Sequence, residues 1–185
     1  MNAKHSQESS LLLRTLLILA MILLCAALRV LPHPRNFTPI GATALFSGAM
    51  LRDKRLAIAF PLLTLFAGDL FVGFHKLMPV VYASFLLSVA IGLWLKNNRT
   101  VARIAGATLL GAIQFFLVTN FSVWAMLGTY PKTAFGLVSC YVAGIPLFWN
   151  TLAGDSLYAI LLFGGFALAK HFLPILREPS PATAR

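Results

Sequence analysis

The chain has 185 residues, of which 59% are hydrophobic and only 11% are charged, whereas soluble domains average roughly 45–50% apolar and about 25% charged residues. This composition, with a mean hydropathy of +0.84, excludes an ordinary soluble globular protein. The net charge is +10, but the basic residues stand singly or in small groups between long apolar runs, which is typical of membrane topology signals and not of a nucleic-acid-binding patch.

The apolar runs in the first half of the chain predict four helices. Residues 11–31 supply the roughly 20 apolar residues that a membrane span needs, with a cleaved signal peptide as the alternative. Residues 38–51 are few for a crossing and predict a short or broken helix. Residues 56–74 and 80–95 predict the third and fourth spans.

The second half of the chain predicts one regular and one irregular helical segment. Residues 104–127 predict a fifth span. Residues 133–173 are apolar for longer than one simple helix requires, and they contain Pro146 and Asn150. We therefore expect a single crossing with a broken middle, and two closely spaced spans are the alternative.

The distribution of Lys and Arg favours six crossings. With both termini cytoplasmic, six crossings place 11 of the 15 basic residues inside and 4 outside, as the positive-inside rule requires. Seven crossings would give 8 against 7. The predicted fold class is an all-α integral membrane protein, a six-transmembrane-helix bundle. We expect a cytoplasmic N-terminal segment, a transmembrane domain and a disordered cytoplasmic tail, at residues 1–10, 11–173 and 174–185.

Two short motifs occur twice in the same order. Ala-Gly-Asp stands at residues 67–69 and 153–155, and an Asn-Phe-hydroxyl pattern stands at 36–38 and 120–122. The two Asn to Asp separations are 33 and 35 residues. This agreement favours a duplicated unit of three helices, a common construction of transporters, and chance similarity in an apolar sequence is the alternative.

Asp69 and Asp155 are the carboxylates that fall inside predicted membrane segments. An Asp at a helix centre costs about 2.5–3.5 kcal/mol on insertion scales, and such residues commonly mark a substrate or proton pathway. The structural alternatives are an ion pair for Asp69 and a helix–helix hydrogen bond for Asp155. Thr151 and Tyr158 share the helical face of Asp155.

Three asparagines are further candidates. Asn36 and Asn120 stand where an outer segment is expected to meet a helix, so each can cap that helix or form a pocket wall. Asn150 falls in the expected break of the last segment, where freed backbone groups need partners. Aromatic residues of the same outer layer can stack on a flat ligand or anchor the chain at the membrane interface: Phe37, Phe121, Trp124 and Tyr130.

Small residues at Ser84, Ser88 and Gly92 recur every four positions in the fourth span. This spacing predicts close approach of another helix, from the same chain or from another subunit.

The sequence contains no motif for a metal, a cofactor or a nucleophile. No two histidines stand at ligand spacing, and nucleophile-elbow, zinc-protease, P-loop and dinucleotide patterns are absent. We therefore expect a protein that is not an enzyme and that has no cofactor. A membrane enzyme with Asp69 and Asp155 as an acid/base pair is the alternative.

Residues 34–42, 120–124 and 150–155 resemble an uncharacterised family of bacterial membrane proteins described as transport proteins. That family in turn resembles the substrate-capture (S) components of energy-coupling factor transporters, which are six-helix proteins of the cytoplasmic (inner) membrane. The resemblance implies a small-molecule substrate, a lipid environment, no nucleic acid, and a transmembrane coupling subunit with ATPases as a partner. It also implies an outward-facing pocket, and we expect its substrate-binding residues to be Asn36, Phe37, Asp69, Asn120, Trp124, Asn150, Asp155 and Tyr158.

The favoured hypothesis is an S-component-like protein that captures a small, vitamin-like micronutrient for uptake. One alternative is a scaffold or assembly protein whose polar residues only hold helices together. Another is a proton-coupled carrier of a small solute.

Overall fold

The computed structural model describes residues 2–28 and 32–176, and most of these residues are helical. The helices are α1 (Asn2–Leu28), α2 (Ile40–Met50), α3 (Lys54–Val72), α4 (Met78–Leu95), α5 (Val101–Met126), α6 (Ala134–Ala159), a π-helical turn (Ile160–Gly164), α7 (Gly165–Phe172) and a 3-10 turn (Pro174–Leu176). No strand occurs within the two described ranges. The all-α part of the predicted fold class is confirmed.

The helix bounds follow the predicted apolar runs, with differences at the chain ends. α1 begins well before residue 11, and residues 29–31 of the first run lie outside the described residues. α2 has 11 residues, as expected for the short segment. Leu176, in the first part of the predicted tail, is buried. Residues 177–185 also lie outside the described residues.

The predicted break in the middle of residues 133–173 is wrong. α6 runs without interruption through Pro146 and Asn150, and the irregular turn comes later, at the π-helical residues 160–164. A proline removes one backbone donor from a helix, but unwinding in an apolar environment leaves several backbone groups without partners. Keeping the helix intact at Pro146 is therefore the less costly arrangement.

The short helix α2 forms the centre of the bundle. All of its residues except Gly41 are buried, and α4 packs closely against it. A Cβ atom on Gly48 would lie 2.3 Å from the carbonyl oxygen of Val89, and one on Gly92 would lie 2.2 Å from that of Leu45. Only glycine leaves room for the two backbones at this crossing.

The small residues Ser84, Ser88 and Gly92 are buried within the chain. Gly92 contacts α2. Gln114 Nε2 of α5 donates to the carbonyl oxygen of Ser84 at 2.9 Å and to Ser88 Oγ at 3.2 Å. The helices that approach these residues therefore belong to the same chain, and these residues do not form an outer surface for another subunit.

Charged side chains from α6 and from the loop after α4 meet the two ends of α2. At its N-terminal end the carboxylate of Asp155 accepts a backbone hydrogen bond. At its C-terminal end Lys96 Nζ donates to the carbonyl oxygen of Leu51 at 2.9 Å, and Arg99 Nη1 donates to that of Ala49 at 3.0 Å. A helix carries partial positive charge at its N-terminus and partial negative charge at its C-terminus, so all three side chains stabilise α2.

Much of the outer surface is apolar. Phe71, Trp94 and Phe135 are 85%, 66% and 80% exposed, and soluble monomers rarely expose large apolar surfaces of this kind. Among the described residues, the stretches 7–25, 78–95, 101–126 and 134–172 are long and apolar enough to cross a membrane. These helices are compatible with a membrane protein.

Candidate functional site

A cavity of about 280 Å³ lies at the N-terminal end of α2. α2 has 11 residues and α4 has 18, so at 1.5 Å per residue α2 is about 10 Å shorter than the helix packed against it. The cavity lies beyond the first turn of α2 and is also bounded by the loops at 32–39 and 73–77. Its polar lining residues are Asn36, Thr38, Asp69, His75, Ser88, Thr151 and Asp155.

Asp155 of α6 caps helix α2 and lines the cavity. Pro39 precedes α2 and provides no side-chain cap, but Asp155 Oδ1 accepts a hydrogen bond from the backbone N–H of Ala42 at 3.0 Å. This N–H is one of the first-turn donors that lack a partner within the helix. A Cβ atom on Gly41 would lie 2.4 Å from both carboxylate oxygens, so glycine is needed for this approach.

Asp69 lines the cavity from the last turns of α3. Its side chain is 4% exposed, and its Oδ2 accepts a hydrogen bond from the hydroxyl of Tyr82 on α4 at 2.9 Å. The two carboxylates that were singled out in the sequence thus share one cavity, although they come from different halves of the chain.

Asn36 lies in the loop between α1 and α2, with a positive φ of 63°. Asparagine tolerates this left-handed conformation better than most residues. The turn is closed by backbone hydrogen bonds from Phe37 to Pro34 at 3.0 Å and from Thr38 to Asn36 at 3.1 Å. This conformation brings both Asn36 and Thr38 to the cavity wall.

One face of α6 holds this loop in place. Asn150 Nδ2 donates to the carbonyl oxygen of Arg35 at 3.0 Å, and a Cβ atom on Gly154 would lie 3.1 Å from the backbone nitrogen of Thr38. The Tyr158 ring packs against that of Phe37, with a centroid distance of 6.2 Å. Asn150, Phe37 and Tyr158 were predicted as binding residues, but they support the cavity wall and do not line it.

Asn120 and Trp124 lie away from the cavity. They follow Phe115, the last residue of α5 that lines it, by 5 and 9 residues, about 8 and 14 Å along the helix. Asn120 Nδ2 donates to the carbonyl oxygen of Phe116 at 2.8 Å. Trp124 Nε1 donates to that of Pro131 at 3.0 Å, in the turn between α5 and α6.

The two Asn-Phe-hydroxyl motifs are not structurally equivalent. Residues 36–38 form a turn outside the helices, whereas residues 120–122 continue helix α5. The expectation that Asn120 stands where a helix begins or ends is wrong. The two Ala-Gly-Asp motifs both lie on helices that bring their carboxylates to the cavity, so the repeated pattern is shared only by the aspartates.

Several lining residues were not singled out from the sequence as binding residues. Phe85 and Phe115 form an aromatic pair on the wall, with ring centroids 5.1 Å apart, but phenylalanines within apolar runs look like ordinary core or lipid-facing residues. His75 lies six residues after Asp69, just beyond the end of α3. That proximity is the one signal that could have identified it.

The donor set does not form a recognisable metal site. No group of three or more His, Cys, Asp or Glu side chains that could hold a metal ion occurs among residues 2–28 and 32–176. Cys25 and Cys140 are both buried and unpaired with each other.

Comparisons with known proteins identify the family of the chain but no better-characterised relative. Neither a curated protein nor a solved structure matches it. Residues 9–176 match a family described as "Family of unknown function (DUF6580)". Since the match spans nearly the whole sequence and includes every element around the cavity, the chain belongs to the DUF6580 family of unknown function.

Proposed function

We propose that this chain is a membrane-embedded capture protein, similar to the S components of energy-coupling factor transporters. It binds a small, vitamin-like solute in the cavity beside α2 for uptake into the cell. The observation that carries the proposal is the cavity itself, which gathers Asn36, Asp69 and Asp155 from three separate segments. Carboxylates within apolar helices are costly, and a solute site between helices gives them a role.

The proposed orientation rests on the distribution of basic residues. The end of the bundle at the C-terminus of α2 carries Arg52, Lys54, Arg55, Lys96, Arg99 and Arg103. The positive-inside rule assigns that end to the cytoplasm, so the cavity, at the other end of α2, opens toward the outside. Six crossings with both termini cytoplasmic in a bacterial inner membrane complete this arrangement.

Uptake by such a protein requires an energy source. The resemblance to S components favours a transmembrane coupling subunit with ATPases as the partner. Because Ser84, Ser88 and Gly92 are buried against α2 and α5, docking of that subunit would have to use another surface of the chain. We assign no chemical reaction to the cavity.

Native mass spectrometry of the protein, extracted in mild detergent from cells grown on complex medium, tests capture without assuming a substrate. We expect a retained small molecule on the wild-type protein and its loss from Gly111→Leu, which fills the cavity. Gly106→Leu is the matched control on the same helix, since a Cβ atom there meets nothing within 4 Å. Equal retention by the wild type and Gly111→Leu would contradict the proposal.

A scaffold function is the second candidate, and the Asp155 contact favours it. The bond from Ala42 to Asp155 joins α2 to α6, which is the structural role expected of a polar residue that holds helices together. If the protein is a scaffold, native mass spectrometry should find no retained molecule on either the wild type or Gly111→Leu. A co-purifying protein would then be the remaining readout.

A further inference from the structure

We infer that the solute captured in this cavity is a small organic cation with an apolar or aromatic body, such as a protonated amine or an amidinium. This inference rests on the proposed capture function and names its substrate class. It depends on the charge of the wall, on one carboxylate oxygen that accepts no hydrogen bond from the described residues, and on a pair of aromatic rings.

The formally charged groups on the cavity wall are acidic. Asp69 and Asp155 line it, and His75, in the exposed loop after α3, is the one lining residue of the described chain that can carry positive charge. A concave site with walls of low dielectric focuses the field of such charges. An anionic solute would meet two carboxylates there, whereas a cation is attracted by both.

Asp155 retains capacity for a ligand. The side chain is only 5% exposed, yet its single hydrogen bond within the described chain uses Oδ1 and the N–H of Ala42. Oδ2 accepts no hydrogen bond from the described residues. A carboxyl group can take part in several hydrogen bonds through its two oxygens. An ammonium or amidinium donor would supply that hydrogen bond.

The remaining wall fits an organic body better than a bare metal ion. Phe85 and Phe115 present rings with centroids 5.1 Å apart, and cations are attracted to aromatic faces. Leu65 and Val81 add apolar surface. A hard cation such as Mg²⁺ or Ca²⁺ takes six or more oxygen ligands, whereas this wall is partly aromatic and aliphatic. At about 280 Å³, the cavity accommodates a small molecule and not a drug-sized one.

A charge-matched series of probes tests the inference. The purified protein is titrated with 2-phenylethylamine, 2-phenylethanol and phenylacetate, which differ mainly in charge, and thermal unfolding reports binding. We expect the amine to raise the unfolding temperature and the other two to have little effect. Equal or tighter binding of the alcohol or the acid, or no binding of the amine, would overturn the inference.

Two variants test whether the amine binds at the acidic wall of the cavity. Asp69→Asn keeps the shape and removes the charge, and we expect it to weaken amine binding about tenfold or more. Asp53→Asn makes the same chemical change at the exposed cap of α3, and amine affinity should stay unchanged. If Asp69→Asn fails to fold, Phe115→Leu serves instead, with an expected loss of about threefold for the amine. Unchanged amine affinity in either folded variant would contradict the assignment.

Failure of this inference can be told apart from failure of capture. A retained molecule that is lost in Gly111→Leu, together with no preference for the amine, would leave capture intact and overturn the cationic class. No retained molecule and no binding by any of the three probes would overturn both.

Discussion

Asp155 and Gly41 act as a pair, because the carboxylate caps α2 only where the helix has no Cβ atom. A methyl group on Gly41 would lie 2.4 Å from both oxygens of Asp155 and would displace them. We expect Gly41→Ala and Asp155→Ala each to lower the free energy of unfolding by about 1–3 kcal/mol.

The double variant tests whether these two losses share one cause. With the carboxylate absent, the methyl group meets less obstruction, so the combined loss should be clearly smaller than the sum of the single losses. Chemical denaturation in detergent measures all three variants. Fully additive losses would show that the contact is not what Gly41 protects.

The sequence predicted which aspartates lie at the cavity better than it predicted which asparagines do, for a physical reason. An Asp in an apolar helix is costly enough to require a partner or a cavity, so its presence indicates a site. Asn120 can satisfy its own side chain by donating to the carbonyl oxygen of Phe116, one turn earlier. An asparagine in an apolar helix therefore predicts a pocket only weakly.

Among the helices, α2 and α4 make the closest crossing, which gives the clearest prediction for an element. A Cβ atom on Gly48 or Gly92 would meet backbone carbonyl oxygens at 2.3 and 2.2 Å, and backbone cannot move as a flexible side chain can. We expect Gly48→Ala and Gly92→Ala each to cost about 1–3 kcal/mol of stability. Gly106→Ala, on an open face of α5, should be neutral or slightly stabilising.

Thermal unfolding of the three alanine variants in the same detergent separates two effects of the substitution. One is the steric clash at the crossing of α2 and α4, and the other is the higher helix propensity of alanine. Alanine favours a helix over glycine by up to about 1 kcal/mol, so a destabilised crossing variant beside a stabilised Gly106→Ala identifies steric contact as the cause. Similar unfolding temperatures for all three would contradict the observed packing.

The C-terminal end of α2 depends on cationic side chains from the loop after α4. Lys96 and Arg99 donate to carbonyl oxygens of Leu51 and Ala49. We expect Lys96→Met and Arg99→Met each to lower the unfolding free energy by about 1 kcal/mol. Lys54→Met, an exposed lysine of α3, is the control and should be nearly neutral. Losses equal to that of the control would mean that the carbonyl groups are satisfied in another way.

At this scale the sequence predicted helix positions well and irregularities poorly. Apolar runs locate α2, α3, α4 and α5 to within a few residues. The reason is that each of these helices is apolar along nearly its whole length and ends where polar residues begin. Pro146 suggested a break that is absent, and nothing in the residues 160–164 indicated the π-helical turn. Such irregularities depend on neighbouring helices, which a local pattern does not contain.

For the whole molecule, the distribution of Lys and Arg predicts which end faces the cytoplasm. Cysteines at two exposed positions test this prediction: Thr129, in the turn after α5, and Asn97, in the loop after α4. In intact cells, a membrane-impermeant thiol reagent should label Thr129→Cys and should label Asn97→Cys only after permeabilisation. The native Cys25 and Cys140 are buried and give a low background. The opposite labelling pattern would place the cavity on the cytoplasmic side.

The composition predicted a membrane protein, with which the long apolar helices are compatible, but it did not predict the central position of α2. A short apolar run between two longer ones looks like a weak or partial span, and hydropathy does not distinguish a helix at the edge from one at the centre. The surrounding helices decide that, through Gly92 on α4 and Asp155 on α6.

The burial of α2 has a consequence for how the chain is made. An 11-residue helix is about 16 Å long, roughly half the thickness of a bilayer's hydrocarbon core. It is too short to be retained in a membrane by its own hydrophobicity. Its main contacts come from α4 and α3, and Asp155 of α6 caps its N-terminal end. All three helices are synthesised after α2, so the packing around α2 is complete only once α6 has been made. The centre of the bundle is therefore completed late in synthesis, when α6 reaches the N-terminal end of α2.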